Sequence, residues 1–181
     1  MLFVKRIGMI AFNSRLEIAI LPDLPITSSG SVKIANKKTG YEIYLAGNIN
    51  YALLQYDDIK DYKERLLSSG DLATVFRIAR GHLLLTVAPT CPSLASLFPE
   101  AVNQALAFAK ISKISKARLS VSDGESWIFF SLESVDDNWV YYDSTPRSIS
   151  RRLLRRDKLR ELVHLVSQWL LDPSHNLYSL K

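Results

Sequence analysis

Alternation of apolar and polar residues dominates the first third of the chain. The runs LEIAIL (16–21), SVKIAN (31–36) and YEIYLAG (41–47) repeat with a period near two, as strands with one face on a core do. INYALLQYD follows at 49–57, directly after Gly47-Asn48, and Asn36, Thr39 and Gly40 supply turn chemistry, so consecutive antiparallel hairpins are predicted. At 57–71 the period lengthens. Ile59, Tyr62, Leu66 and Leu67 share one helical face and Gly70 supplies a stop, which predicts a short, exposed helix. Asp57 and Asp58 suit its N-cap and first turn.

Two further strands, LATVFRIAR and HLLLTVA, meet at Arg80-Gly81, and the second is apolar as a strand covered on both faces would be. No charged residue falls between His82 and Glu100. A helix is expected over about 94–111, burying Leu94, Leu97, Phe98, Val102, Ala105, Leu106 and Ala109. KARLSVSDGESWIFFSLE then reads as a hairpin about Asp123-Gly124, NWVYYDS (138–144) as another strand, and about 148–172 as a long helix ended by Asp172-Pro173. Its inward positions are Leu153, Leu159, Leu162, Val163, Val166, Trp169 and Leu170. Strands feeding a strand–helix–hairpin–helix unit predict an α+β domain of α/β/α type, with a mixed central sheet flanked by helices. Repeats and low-complexity linkers are missing, so the 181 residues are expected to form one domain.

Composition changes this picture little: 48% of residues are hydrophobic and 23% charged. The stretch after His82 contains Pro89, Thr90, Pro92, Ser93 and Ser96 and is a poor membrane span, so no membrane partner is expected. Lys5 and Arg6 precede only a short apolar run, and FNSRLE is a poor cleavage site, so the N-terminus is expected to be a mature strand. Cys91, the single cysteine, fits a reducing compartment, and an intracellular location, cytoplasmic or nuclear, is expected. Cys91 has no histidine near it in sequence to activate it as a nucleophile. His82, His164 and His175 lack the spacing of a zinc site.

Charge does change the picture. The net charge is +5, and residues 147–160 alone hold six Arg and one Lys against one Asp. Arg147, Arg151, Arg152, Arg155, Arg156 and Lys158 are therefore candidate nucleic-acid contacts. Cations at a helix start oppose its macrodipole by about 0.3–1 kcal/mol each, an arrangement that becomes reasonable when phosphate lies over that end. The competing explanation is a solvated face whose Arg stems cover apolar surface. Lys110, Lys113, Lys116 and Arg118 form a second cluster that would extend the same surface.

The order GNINYAL, RGHLLLTVAP, PEAVNQALAFA, LSVSDGESWIFFSL resembles the restriction-endonuclease-like, PD-(D/E)XK nuclease domains of many fungal proteins, some linked to crinkler-type effectors. The resemblance covers about residues 40–171. It implies a nuclease-like core over 40–172 with residues 1–39 as an N-terminal β extension. In that family the Asp of a G-x-I-D-Y hairpin and the Glu of a Glu-x-Lys at the end of the next core strand hold Mg²⁺, and the Lys supports the attacking water or the developing anion. The metal then lowers the pKa of the attacking water and stabilises charge on the phosphate. Here the Asp position is Asn50, and the Glu-x-Lys positions fall on Val87 and Pro89. Asn brings no negative charge, Val no donor, and Pro lacks even its N–H.

The resemblance thus implies a degenerate site with no catalytic residue, no metal and no cofactor, in which Gln104 stands where the family's helix Gln would. Read from its own surroundings, Gln104 is a helix-surface residue. Glu42, Asp57, Asp58 and Glu100 are the carboxylates nearest by topology, and each has an ordinary explanation, for Glu100 the helix dipole. The leading expectation is a pseudo-nuclease that binds DNA or RNA through its basic helix. Two others stand beside it: a protein-interaction module with Trp139, Tyr141 and Tyr142 on the partner face, and an active Mg-dependent nuclease with rearranged ligands.

Overall fold

A computed structural model describes residues 18–25, 32–35, 39–62, 82–87, 93–136, 138–149 and 156–171. Its elements in chain order are β1 (Ile18–Pro25), β2 (Val32–Ala35), β3 (Glu42–Leu45), β4 (Asn48–Gln55), α1 (Tyr56–Ile59), β5 (His82–Val87), α2 (Phe98–Ser112), β6 (Lys116–Ser122), β7 (Ser126–Val135), β8 (Asn138–Asp143), β9 (Arg147–Ser148) and α3 (Arg156–Leu171). Short 3₁₀ turns follow α1 (Lys60–Tyr62) and precede α2 (Leu94–Leu97). Helices flank a central mixed sheet of order β1-β4-β5-β6-β7-β8, with β9 also paired to β7.

Among the described strands of this sheet, β5 and β6 run parallel and the other pairings are antiparallel. A parallel neighbour needs a crossover, and α2 supplies it. Pro99 lies in the first turn of α2, where its missing N–H costs no helical bond. The helix ends on Lys113 in the left-handed conformation (φ 54°), with the Ile114 N–H donating to the Ala109 carbonyl.

The central strands are apolar on both faces because both faces are covered. Ala52, Leu54, Ala117, Leu119, Val121, Ile128, Phe130 and Leu132 form one core layer with Ala101, Ala105 and Phe108 of α2. Leu53, Leu83, Leu85, Trp127 and Phe129 form the other with Leu162, Leu165, Val166, Trp169 and Leu170 of α3. Phe129 meets Trp169 edge-on at 5.5 Å, a geometry worth about 0.5–1.5 kcal/mol beyond its buried area.

Several sequence expectations are met: the strand at 82, the hairpin about Asp123, the strand at 138 and both long helices. The hairpins of the first third are partly re-paired. β2 and β3 form a separate two-stranded sheet lying against α2, whereas β4 leaves β3 and pairs with β1 and β5. The stripe expected over 94–111 packs on this core, Ala105 and Ala109 buried and Leu94, Leu97, Phe98, Val102 and Leu106 partly so, and the buried face also takes in Ala101, Gln104 and Phe108. Alanines at the contact let the helix axis come close to the sheet, and the bulkier Val102 and Leu106 pack at its flanks.

The last helix begins, among described residues, at Arg156, and positions 147–148, expected near its start, are strand β9 paired to Ser126 and Trp127. Pairing β9 with the start of β7 satisfies backbone groups that a longer helix would leave to solvent. Asp57 and Asp58 lie in the first turn of α1, whose N-cap is Gln55. The predicted strand at 72–80, the rest of the helix expected to 71, and the N-terminal strand lie outside the described residues.

Candidate functional site

Strand directions bring most of the candidate residues to one end of the sheet. The Tyr51↔Leu85 pairing puts the start of β4 beside the finish of β5, and continuing that register one step sets Asn50 across from Thr86. Val87 pairs with Ser122, so β6 finishes at the same end, where β7 starts and β9 lies. The first turns of α2 reach this end from one face. On the other face α3 runs away from it: its Trp169 and Leu170 carbonyls accept from Arg118 and from Gln55 Nε2 at the opposite end.

At this end Gln104 is buried, with 6% of its surface exposed, and both ends of its amide are engaged. The Thr86 hydroxyl donates to Gln104 Oε1 (3.1 Å), and Gln104 Nε2 donates to Glu100 Oε1 (3.0 Å). Gln104 is therefore not a surface residue. It occupies the i+3 place of the Ala101–Ala105–Phe108 stripe, and that spacing was the available signal for its burial. Glu100, expected only as a dipole partner, also anchors Gln104 and stands two hydrogen bonds from Thr86.

Around Thr86 the described hydrogen-bonded side chains are the neutral Gln104 and one carboxylate, Glu100, and the neighbouring Asn50 is neutral as well. Mg²⁺ sites are built on carboxylates with phosphates and waters completing the shell, and these residues do not fit the two-carboxylate arrangement. Among the described residues, His, Cys, Asp and Glu nowhere gather in threes. Glu42 is engaged by Lys33 and the Tyr44 hydroxyl. Asp57 pairs with Lys60. Asp123 is used by its own turn, where Oδ1 accepts from the N–H groups of Glu125 (2.8 Å) and Ser126 (2.7 Å), with Gly124 at φ 94°. Pro89 and Cys91 lie outside the described residues.

The basic residues divide. Arg147 stands on β9, not on the helix, and Arg156 and Lys158 are exposed in the first turns of α3. Arg151, Arg152 and Arg155 lie outside the described residues. Glu161 joins the two elements: it accepts from Arg147 (3.0 Å) through Oε1 and from Lys158 (2.9 Å) through Oε2. Beneath them Pro146, Ser148, Ile149, Leu162 and Leu165 complete a recess of about 140 Å³.

The second basic cluster does not extend this surface. Lys110, Lys113, Lys116 and Arg118 sit at the end of α2 and the start of β6, which is the other end of the sheet. Lys110 lies over Trp139 and Lys116 pairs with Glu133. Arg118 is buried, donating to the Trp169 carbonyl and stacking on the Trp169 ring at 5.3 Å. The aromatic trio divides as well. Trp139 packs toward the α2 layer and Tyr142 toward the α3 layer, leaving Tyr141 as the exposed member (52%).

None of the described helices is long and apolar enough to cross a membrane. No family model matches the chain, and no curated protein matches it.

Proposed function

We propose that this chain is a PD-(D/E)XK-like domain without the metal-holding residues of a nuclease, and that it binds nucleic acid across the end of its sheet where β9 and α3 begin. The observation that carries the reading is the shared end. Asn50, Thr86 and Val87 on neighbouring strands, with Gln104 bonded to Thr86, lie at the same end of the sheet as Arg147, Arg156 and Lys158. Four strand steps of about 4.8 Å separate β4 from β9, or about 19 Å, so one nucleic-acid segment can lie over both.

Asn50, where the family has its Asp, is neutral, and so lacks the charge that would hold a cation. Cations at the rim then supply the sequence-independent, salt-dependent part of binding. The test is binding of labelled DNA and RNA, single-stranded and duplex, across a salt series. Binding is expected at about 50 mM salt, and Arg147→Ala is expected to weaken it for every sequence and to reduce the salt slope by about one. Failure of all nucleic acids to bind at that salt refutes the reading. Cleavage that requires Mg²⁺ or Mn²⁺ and stops with EDTA refutes its non-catalytic half.

A further inference from the structure

We infer that two copies of this chain join along β8, antiparallel and two-fold symmetric about Tyr141, so that their sheets continue into one. This goes beyond the nucleic-acid reading and does not depend on it.

The backbone supplies the first argument. Among the described residues β8 ends the sheet, with β7 on one side and no strand on the other. The Ser144 N–H donates to the Phe129 carbonyl at 2.9 Å, in register with the β7–β8 pairing. Backbone groups alternate sides along a strand, so Tyr142, Val140 and Asn138 also turn theirs to β7. Those of Trp139, Tyr141 and Asp143 turn outward, an open row of donors and acceptors. On the same strand Val140 and Tyr141 are 38% and 52% exposed.

The two edges of the sheet differ, which is the second argument. At the other edge β1 carries Pro22, Asp23 and Pro25, residue types that discourage the addition of a strand. The β8 sequence NWVYYD has neither Pro nor Lys, and its one charge stands at its end. Its aromatic and β-branched residues favour pairing. One edge is guarded and the other open, so association closes at a dimer instead of growing into a stack.

Charge complementarity selects a second copy as the occupant. A two-fold axis normal to the sheet keeps like faces together. Tyr141 pairs with Leu132 and Asp143 with Phe130, so both share the α2 face with Trp139. Centred on Tyr141, the axis sets Tyr141 against the partner's Tyr141 and Trp139 against the partner's Asp143. Every outward N–H and C=O of Trp139, Tyr141 and Asp143 then meets its counterpart. Lys110 lies over Trp139, 5.8 Å from the ring centroid. Hydrogen-bonded partners in such a ladder sit about 5.5 Å apart at Cα, so the partner's Asp143 comes beside Lys110. Symmetry repeats the contact, each copy giving one cation and one carboxylate.

Sedimentation equilibrium of the intact chain, without nucleic acid, tests this. Between about 5 and about 200 µM the mass is expected to rise from 20.5 kDa to twice that value and no further. Tyr141→Pro removes an outward N–H and no bond to β7, and is expected to stay monomeric throughout. If Tyr141→Pro fails to fold, Tyr141→Lys, which puts a charge on the edge, replaces it with the same expectation. Asp143→Lys sets like charges at both contacts and is expected to weaken association about tenfold, and adding Lys110→Asp is expected to restore it. A native chain that stays monomeric, growth beyond the dimer, or a dimer indifferent to the Tyr141 variant overturns the proposal. So does an unchanged affinity in Asp143→Lys, or a loss there that Lys110→Asp does not reverse. All of these leave the nucleic-acid reading untouched.

Discussion

Replacing Gln104 by Leu tests whether the polar thread at the sheet end is structural. The two side chains have similar volume, so little cavity forms. What changes is hydrogen bonding: the Thr86 hydroxyl, on a residue only 7% exposed, loses its acceptor at 3.1 Å, and Glu100 loses its donor. An unsatisfied buried hydroxyl costs about 1–3 kcal/mol, and the more exposed Glu100 bond adds a few tenths, so Gln104→Leu is expected to cost about 2 kcal/mol. For a chain of this length that lowers Tm by about 4–8 °C. Thr86→Val alone leaves Gln104 Oε1 unpaired and is expected to cost about 1 kcal/mol. The pair together removes donor and acceptor at once, and such replacements are close to neutral. A urea-denaturation double-mutant cycle should therefore show a coupling of about 2–3 kcal/mol. Additivity within about 0.5 kcal/mol refutes the argument, because it would mean that the two groups do not depend on each other.

The other expectations concern charge. Arg118→Leu removes the cation that donates to the last turn of α3 and stacks on Trp169, and it should lower stability by about 3 kcal/mol in chemical denaturation. The Lys116 ammonium holds the Glu133 carboxyl below its ordinary value of 4.5, with the Ser131 hydroxyl and Arg118 adding to the effect against partial burial. A carboxyl depressed by folding contributes stability that is fully present above pH 4.5 and is lost as pH falls through the lower folded value. Lys116→Met should accordingly flatten the loss of stability below pH 4.5, measured by denaturation at stepped pH. Lys113→Glu, at the far end of the sheet, should leave nucleic-acid affinity within twofold when it is compared with Arg147→Ala in the same salt series; parallel losses would show that charge acts through the whole molecule's field.

Local signals in the sequence identified the parts of the fold that local chemistry decides. Asp123-Gly124 marks the β6–β7 turn because Asp123 can accept two backbone N–H groups and Gly124 can take a positive φ. The apolar run from Leu83 announces a central strand. Strand partners were less legible, because alternation specifies which face is buried and not which neighbour is hydrogen-bonded. β4 alternates as well against β1 and β5 as it would against β3. The start of α3 was misplaced for a related reason. Apolar residues at 149, 153 and 154 continue a helical period, yet the free edge of β7 claims residues 147 and 148. Gln104 was misread because a single amide in an apolar stripe looks like an interruption, when a partner such as Thr86 on the opposing strand makes it a buried member of that stripe.

Charge shows the same division between what neighbours in sequence share and what the fold separates. Lys110–Arg118 and Arg147–Arg160 look like two parts of one basic surface when counted along the chain. The strands decide otherwise. β6 starts at the end of the sheet where α2 and α3 finish, and β9 lies at the end where β7 starts, so the two clusters are held at opposite ends. At the β9 end the six-arginine excess is itself reduced, because Glu161 is placed between Arg147 and Lys158 by the helical spacing from Lys158 and by the pairing of β9 with β7. A run of basic residues therefore overstates the field a ligand would meet. Among Arg147, Lys158 and Glu161 one positive charge remains, while residues 147–161 taken together still carry +5, so the reduction is local to the Glu161 pairing.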